Sequence, residues 1–331
     1  MKLKRRNAIT WMGTTALSLW ISSGLLGAAH AQVWPDKPVK FIVSASAGSA
    51  PDIIARLIGE KLAQTWGKSV VVDNRPGAGG NLGAQAVAKA APDGHTLLMA
   101  INTFTMTPAI YKNLGFDPIS DFSPISKLAE SGFAFAVNPT VPAKDIKSLI
   151  ALAKKNGGKL NYASPGNGTP HHLAMELFKT SYQLDILHVP YKGIQGALTD
   201  LMGGQVQMMF ATVHSTRPLE QAGKMRFLAV TGDARNPSVP DIPTFKEQGI
   251  HDMEGIDAWF AVLAPGRTPT ETISRINRDF IEVMNAPDTK AELAQKGLNV
   301  ATSTPTQLAT VIKTDLARWK KVVIEANIVA D

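Results

Sequence analysis

Residues 161–174 contain glycines and polar side chains that together could bind an anion. The segment reads N-Y-A-S-P-G-N-G-T-P-H-H-L-A, a short apolar run followed by a glycine-rich loop and then by a helix signal. Thr169 is a favourable N-cap, and Pro170 suits the first helical position. The first N–H groups of a helix lack partners within it, and the helix dipole adds fractional positive charge. We therefore predict that free N–H groups here bind a carboxylate or a phosphate.

Two other stretches repeat this design of a small-residue loop between a predicted strand and a predicted helix. Residues 41–52 run from an apolar strand through small residues to Pro51 and Asp52, which suit the start of a helix. Residues 70–82 do the same with three glycines. The pattern predicts that small-residue loops at strand ends converge on one small anionic ligand.

Cofactor and metal chemistries fit the sequence less well. Residues 77–83 suggest a dinucleotide fingerprint, but Leu82 stands where the third glycine belongs, so no nucleotide cofactor is expected. Adjacent His171 and His172 would point about 100° apart on a helix, and no third ligand is evident, so no metal is expected. The two histidines are interpreted as a capping or solvent-facing pair, with donation from His172 to the ligand as the functional alternative.

Catalytic motifs are also missing. The chain has no G-x-S-x-G elbow, S-x-x-K, H-E-x-x-H or P-loop. Ser164 and His172 could form a nucleophile pair, but nothing identifies a third, orienting group, and no enzyme is predicted. We interpret Asp52 as a helix cap rather than a catalytic acid, and expect Arg56 to pair on the helix surface or with that loop.

The composition is that of an ordinary globular protein. The chain has 331 residues, 44% hydrophobic and 18% charged, which is enough for two domains with sizeable cores. Cysteine is absent, which excludes disulfides, thiolate metal sites and lipid attachment at a cysteine. Lysine and arginine are scattered without an interleaved aromatic run, so nucleic acid is not expected as a partner.

The first 31 residues read as a secretory signal and not as part of the fold. A basic start precedes a largely apolar run over 9–27, and residues 29–31 match an A-x-A cleavage site. Threonine and serine interrupt the run, which disfavours the alternative of a membrane anchor. Arg5 and Arg6 weakly resemble a twin-arginine signal, so the export route stays open. Cleavage after Ala31 removes four positive charges, lowers the formal net charge from +7 to +3 and predicts a periplasmic protein.

Predicted strands and helices alternate with tight connections, which is typical of α/β folds with parallel, doubly wound sheets. Such sheets bind ligands beyond the carboxyl ends of their strands. The predicted strands are 39–44, 69–72, 96–100, 133–137, 187–189, 206–210, 226–230 and 258–263. The predicted helices are 52–64, 82–90, 146–154, 197–202, 271–284 and 307–325, with a further one from Pro170. Residues 111–124 are predicted to be irregular.

The order of these elements predicts two lobes, each a doubly wound sheet with flanking helices, and a ligand cleft between the lobes. Two crossovers, near 133–138 and 257–263, would make the first lobe discontinuous in sequence. The predicted limits are 1–31 for the signal, 32–135 for the first part of lobe 1, 136–257 for lobe 2, and 258–331 for the second part of lobe 1 with the C-terminal helices.

Across essentially all of the predicted mature chain, the motifs resemble those of the Bug-type periplasmic solute receptors of tripartite tricarboxylate transporters. Each motif is modest, but their order and spacing together are specific. They are Ala47-Gly48 with Asp52 and Arg56, residues 74–80, residues 92–98, Asp121-Phe122, residues 162–168 with His172, residues 188–193, residues 240–244 with Glu247 and Gly249, and Trp259.

The resemblance implies a two-lobed periplasmic binding protein of the type II kind, which closes over a small organic carboxylate and delivers it to membrane permease subunits. Family members take di- and tricarboxylates, acidic amino acids and aromatic carboxylates such as terephthalate. A monomer without a cofactor is expected. Two alternatives stay open: a sensory receptor for a membrane kinase, and a periplasmic hydrolase that uses Ser164 and His172.

In this family, backbone and hydroxyl groups of two loops hold the carboxylate, often through ordered waters. One departure is Ser49, which stands where the family usually has a second glycine and adds a hydroxyl that could face the ligand. Phe104 and Trp259 are candidates either for the apolar core or for an aromatic wall of the cleft. The predicted ligand contacts are Ser46, Ala47, Gly48, Ser49, Asn102, Ser164, Gly166, Asn167, Gly168, Thr169, His172, Thr212 and Asp257.

Overall fold

Apolar strands end in small-residue loops at one edge of each of two sheets. The computed structural model describes residues 34–328, apart from the side chain of His214. The predicted signal over 1–31 lies outside these residues. The residues from Lys37 onward form one compact unit.

Strands and helices alternate over most of this unit. The strands are β1 (Val39–Val43), β2 (Val70–Asn74), β3 (Thr96–Ile101), β4 (Phe122–Ser131), β5 (Phe133–Val137), β6 (Asn161–Ser164), β7 (Leu187–Pro190), β8 (Met208–Thr212), β9 (Arg226–Val230), β10 (Ala258–Pro265) and β11 (Asn299–Val300). The helices are α1 (Ala50–Trp66), α2 (Asn81–Ala88), α3 (Thr103–Ile110), α4 (Ile146–Asn156), α5 (Pro170–Tyr182), α6 (Ile194–Met202), α7 (Val213–Gln221), α8 (Thr270–Asn285), α9 (Pro287–Gln295) and α10 (Pro305–Glu325).

The strands form two mixed sheets, which confirms the predicted α/β class. The first sheet has the order β11-β4-β10-β3-β1-β2, and the second has the order β7-β6-β8-β5-β9. Strands β1, β2 and β3 are parallel, as are β6, β7 and β8, whereas β10 and β5 run antiparallel to their neighbours.

The crossovers explain the antiparallel strands. A single residue, Gly132, separates β4 in the first sheet from β5 in the second. Because the chain leaves one sheet at its carboxyl edge and enters the other at the same edge, β5 must run against β8. The return from β9 to β10 reverses the direction in the first sheet in the same way. The residue limits assigned above to each lobe stay a prediction.

Two helices owe their ends to local signals that the sequence displays. Helix α4 begins with a capping box between Asp145 and Ser148, and α10 begins with one between Thr304 and Gln307. The last turns of α10 pack Trp319 and its neighbours into the core beside the second sheet. Burial of this apolar face stabilises the long C-terminal helix.

The sequence prediction missed three helices and one long strand. The segment 111–124 was expected to be irregular throughout, but β4 begins within it, at Phe122. Helices α3 and α7 contain Pro108 and Pro218 in their interiors, which normally disfavours a helix. Burial of Phe104, Met106 and other α3 side chains offsets that cost through tertiary packing. Helix α9 follows α8 directly and was also missed.

Candidate functional site

The first loop, residues 44–49, turns back on itself at the carboxyl end of β1. Gly48 has a φ of +77°, and its N–H donates to Asp52 Oδ2 at 2.8 Å. The Ser49 hydroxyl and N–H both donate to the Ser46 carbonyl, at 2.5 and 3.2 Å. The hydroxyl proton of Ser49 is therefore used inside the loop, while Ser46, Ala47 and Gly48 are exposed.

Asp52 and Arg56 hold this loop from the first turns of α1. Arg56 Nε donates to Asp52 Oδ2 at 3.1 Å, and Arg56 Nη2 donates to Asn74 Oδ1 at 3.1 Å. Asn74 Nδ2 in turn donates to the Ala45 carbonyl at 3.1 Å. Burial acts to raise the pKa of Asp52, but hydrogen bonds from Arg56 and Gly48 outweigh it and lower that pKa. Ser49 is the N-cap of α1 and Asp52 is its third residue, so the prediction that Asp52 caps the helix is wrong: its ionised carboxylate holds the loop through Gly48 instead. The expected pairing of Arg56 is confirmed.

The loop after β2 packs against the first loop and against the start of α3. A Cβ added to Gly80 or Gly83 would lie 3.2 or 3.1 Å from atoms of Ser44. The Thr103 hydroxyl donates to the Gly79 carbonyl at 2.7 Å. Three strand-end segments of the first sheet therefore meet, as the sequence predicted for the loops after β1 and β2.

Asn102 provides an unused donor at this edge. It follows β3 directly, is 3% exposed, and its Nδ2 has no hydrogen-bond partner among the described residues. Leaving a buried donor unsatisfied costs about 1–3 kcal/mol, so a ligand oxygen or a water that accepted from it would be bound favourably.

The second loop, residues 164–169, uses most of its donors internally. Gly168 has a φ of +69°, and its N–H donates to His172 Nδ1 at 3.0 Å. The Gly166 N–H donates to Ser164 Oγ at 3.2 Å, and the His172 N–H donates to the predicted N-cap, Thr169 Oγ1, at 3.4 Å. The expectation of free N–H groups is therefore wrong for Gly166, Gly168 and His172. Asn167 is the exposed member of this loop.

Ser164 pairs with a histidine that the sequence did not single out. Its Oγ lies 2.7 Å from Nε2 of His188, the second residue of the neighbouring strand β7. The proposed nucleophile pair of Ser164 with His172 is therefore wrong, because His172 accepts from Gly168 instead. In the sequence, His188 is noted only as part of the motif over 188–193. Its position opposite Tyr162 depends on the pairing of β6 with β7, which local sequence patterns do not reveal.

Three aromatic rings form a stack beneath the second loop. The His188 ring lies between the rings of Tyr162 and His172, with centroids 4.6 and 4.0 Å away. Burial, and then the neighbouring His172, lower the pKa of His188 to about 4. The Tyr162 hydroxyl donates to Glu176 Oε1 at 2.5 Å, which anchors the stack on α5. The second loop is thus supported by imidazole groups, with His188 neutral near pH 7.

His171 and His172 are not the capping or solvent-facing pair that the sequence indicated. His172 is 5% exposed. Both ring nitrogens of His171 are buried without a hydrogen-bond partner among the described residues, and its ring meets Phe133 edge to face at 5.0 Å. Burial lowers the pKa of His171 to about 4. The helix start therefore packs its histidines inward.

Helix α3 brings the loops of the two sheets together. A Cβ added to Gly168 would lie 3.0 Å from Ile110 Cδ1, the last residue of α3. The same helix begins at Thr103, which is bonded to Gly79 in the loop after β2 of the first sheet. One short helix therefore contacts the small-residue loops of both sheets, and this is the candidate site.

The two remaining predicted contacts differ in position. Thr212 ends β8, the parallel neighbour of β6, so it lies at the same carboxyl edge of the second sheet as Ser164, and its hydroxyl shares a hydrogen bond with Ser215 at 2.8 Å. Asp257 accepts a hydrogen bond from the Thr231 hydroxyl and lines a separate cavity of about 800 Å³. No residue of the first or second loop lines that cavity, so Asp257 is not brought together with them.

The two aromatic candidates for a cleft wall lie in different surroundings. Phe104 packs with Phe116 and Phe122 in the apolar core, and it also lines a small cavity with Ser44 and Gly80 at the loops of the first sheet. Trp259 instead lines the 800 Å³ cavity, is 4% exposed, and its Nε1 donates to Asp315 Oδ2 at 2.9 Å.

Metal ligation and membrane insertion find no support in residues 34–328. In that range no three acidic, histidine or cysteine side chains are grouped closely enough to hold a metal ion. None of the described helices combines the length and the apolar character needed to cross a membrane.

Residues 54–328 match the family model described as "Tripartite tricarboxylate transporter family receptor". The chain belongs to this receptor family. A relative from Pseudomonas sp. (strain P51), the UPF0065 protein in the tcbD-tcbE intergenic region, is 34% identical over 316 residues, which are 95% of this chain and 94% of the relative. Protein BugT of Bordetella pertussis is 30% identical over 308 residues, 92% of this chain and 94% of BugT.

Solved structures of similar receptors share the fold. The R. palustris protein Rpa4515 with adipate is 33% identical, with a TM-score of 0.73, and the match covers 89% of this chain and 99% of that one. MatC from Rhodopseudomonas palustris with bound malate is 30% identical, with a TM-score of 0.69 and coverage of 88% and 100%. This tripartite tricarboxylate transporter receptor is therefore a periplasmic solute-binding protein of the Bug type and not an enzyme, and its two-lobed fold is that of periplasmic binding proteins.

Proposed function

We propose that this receptor captures a small organic carboxylate at the first and second loops and delivers it to the permease subunits of a tripartite transporter. Helix α3 contacts the second loop at Ile110 and the loop after β2 at Thr103, and the loop after β2 packs against Ser44 of the first loop. Exposed backbone at Ser46, Ala47 and Gly48 leaves the first loop accessible to a ligand. The predicted contacts in both loops are kept in this proposal.

The observation that carries the proposal is the buried, unpartnered amide of Asn102 beside these loops. A carboxylate oxygen accepts hydrogen bonds only, and an amide donor without another partner is its natural complement. Bonds to an ionised acceptor are also stronger than those to a neutral one. The site therefore favours an anion over a neutral ligand of the same size.

An aliphatic di- or tricarboxylate fits better than an aromatic acid such as terephthalate. Similar receptors are described with adipate and with malate. Trp259, one of the two rings on which the aromatic alternative rests, lines the separate cavity and lies away from the loops. The aromatic alternative therefore keeps only Phe104 beside the loops of the first sheet.

Calorimetry on residues 32–331 tests the ligand class with malate, adipate, citrate, tricarballylate, glutamate, benzoate and terephthalate. We expect micromolar affinity, about −8 kcal/mol, for at least one aliphatic acid. Asn102→Asp should weaken binding at least 100-fold, because it replaces the donor with a like charge. Asn285→Asp, an exposed change on α8, is the matched control and should bind like the parent. Equal affinity of the Asn102→Asp variant and the parent would remove Asn102 from the site.

Delivery to a permease needs a separate experiment. The mature receptor, carrying a photo-crosslinker on an exposed face, is added to native membranes with and without the acid that calorimetry identifies. Transport predicts ligand-dependent crosslinks to permease subunits. Crosslinks to a sensor kinase instead would support the sensory alternative.

A further inference from the structure

The 800 Å³ cavity that holds Asp257 lies at the crossovers between the two sheets. Its lining includes Gly132 between β4 and β5, Thr231 after β9, and Asp257 just before β10. Helices α9 and α10 supply further walls through Lys290 and Asp315. Pockets of about 300–1,000 Å³ typically hold small molecules, so this cavity is large enough for one.

Two carboxyl groups face this cavity, half-buried Asp257 and buried Asp315, and Asp315 also accepts from the Thr105 hydroxyl at 3.5 Å. Asp257 accepts from the Thr231 hydroxyl, and no cation pairs with it within 4 Å among the described residues. Asp315 Oδ2 accepts from Trp259 Nε1 at 2.9 Å, while its Oδ1 lies 3.8 Å from Arg318 Nη1. Carboxylates in such surroundings attract a cation, because burial removes the water that would otherwise solvate them.

The pKa values of both acids are raised, as expected for carboxyl groups removed from water. Burial raises the pKa of Asp257 to about 7 against the hydrogen bond from Thr231, and burial also raises the pKa of Asp315. Among the charged neighbours of Asp257, Glu130 and Asp233 raise its pKa and Lys127 lowers it. Lys127 itself pairs with Glu130, so its charge is shared between acids.

Positive charge lies on the more exposed part of the lining. Lys290 is exposed on α9 and forms no ion pair within 4 Å in the part of the chain that the structure describes. Arg235 is also well exposed, although it donates twice to Glu247, at 3.0 and 2.9 Å. Arg318, beside Asp315, and Lys127 place further positive charge in the lining near the acids. Lys290 and Arg235 are thus the cations of the exposed part, and Asp257 is a lining acid without a cation within 4 Å among the described residues.

We propose that this cavity is a second ligand site, for a small zwitterion of the amino-acid class. Its ammonium group would lie against Asp257 and Asp315, and its carboxylate would meet Lys290. A metal ion fits less well, because no three metal-binding side chains are grouped within the described residues. The site is independent of the carboxylate site at the loops, with which it shares no residue.

The test uses ligands that differ in one charge. Calorimetry at pH 8, where Asp257 is ionised, compares glycine, 4-aminobutanoate and 6-aminohexanoate with hexylamine and hexanoate. We expect at least one of the three zwitterions to bind at least tenfold more tightly than either single-charge analogue. The three zwitterions differ in the distance between ammonium and carboxylate, so a single unsuitable distance cannot by itself cause a negative result. No binding by any zwitterion, or equal binding of hexanoate, would overturn the proposal.

Matched variants then locate the zwitterion. Asp257→Asn keeps an acceptor for Thr231 but removes the charge, and should weaken binding at least tenfold. Lys290→Gln should weaken zwitterion binding about threefold. The control is Lys296→Gln, which removes another exposed cation, directly after α9, and should leave the affinity unchanged. Gly168→Val, which disables the loop site, should leave zwitterion binding intact. A signal that is lost in Gly168→Val and kept in Asp257→Asn belongs to the loops, and would contradict a second site.

Discussion

The two loops of the candidate site share one backbone design and differ in the chemistry that supports it. In each, a glycine with positive φ donates its N–H to the residue four positions later, in the first turn of the following helix. Gly48 donates to Asp52 at 2.8 Å, and Gly168 donates to His172 at 3.0 Å. The acceptor is a carboxylate in the first loop and an imidazole in the second.

The acceptors differ in their own support. Asp52 pairs with Arg56, so a permanent charge network holds the first loop. His172 stacks on His188, and His188 in turn bonds Ser164 within the second loop. One backbone shape is therefore stabilised by ion pairing in the first loop and by stacked aromatic rings in the second. We expect the two loops to respond differently to substitution and to pH.

The largest expected loss of carboxylate affinity follows substitution of Gly168, and substitution of Gly48 should cost less. Gly168→Val should weaken carboxylate binding at least 100-fold. The added Cβ would lie 3.0 Å from Ile110 Cδ1, and a valine at a φ of +69° is strained. Gly48→Val has open space around its Cβ, so it should lose only about tenfold, from strain of about 1–2 kcal/mol. Calorimetry with the identified acid measures both. Equal losses would mean that contact with α3 is not needed at the second loop.

Removing the two acceptors should have a smaller, unequal effect. Asp52→Ala should weaken binding about 30-fold, because hydrogen bonds to charged acceptors contribute more than those to neutral ones. His172→Ala should weaken it about fivefold and leave the protein folded. His172→Asn keeps an acceptor near the Nδ1 position and should recover most of the loss. Failure of this rescue, with normal folding, would show that His172 acts by some route other than the Gly168 N–H.

The two loops should lose their contributions to the free energy of unfolding in different pH ranges. The pKa of His188 is lowered from 6.5 to about 4, so the unfolded chain binds this proton more readily than the folded one. Its contribution to stability is therefore complete above about pH 6.5 and is lost as the pH falls towards 4. The pKa of Asp52 is lowered from 3.8, so its contribution is lost only below that value.

Urea unfolding between pH 4 and 7 measures these windows. His188→Asn should reduce the fall of stability across the range without removing it, because the pKa of His171 is also lowered to about 4, and Asp52→Asn should leave the slope unchanged. All the proteins compared should carry Asp257→Asn. The pKa of Asp257 is raised to about 7, so its contribution to stability changes with pH in the opposite sense to that of His188. Parallel slopes for His188→Asn and its parent would contradict the assignment to the second loop.

The smallest effect is expected at Ser49. Its hydroxyl proton bonds the Ser46 carbonyl, and Gly at an N-cap costs only a few tenths of a kcal/mol relative to Ser. Ser49→Gly should therefore change affinity less than about threefold and leave the preference among acids unaltered. A changed order of preference would show that Ser49 contacts the ligand after all.

Local signals determined much of this protein. Apolar runs followed by glycine, proline and a capping residue predicted the strand-loop-helix units around 44–49 and 164–169, because such patterns act over a few residues. The same signals predicted that Thr169 is the N-cap of α5 and that the fold is of the α/β class. The helix α3 escaped detection since Pro108 contradicts its local pattern, and only burial of its side chains against the sheet explains it.

Contacts between distant segments were decided by the tertiary structure alone. Strand register placed His188 beside Ser164, and packing turned His171 inward. The crossovers separated Asp257 and Trp259 from the loops and set them around a different cavity. The sequence by itself determined which backbone could form an anion-binding loop, because that depends on neighbouring residues. Only the fold decided which side chains support each loop, because those partners approach through pairing and packing over long sequence distances.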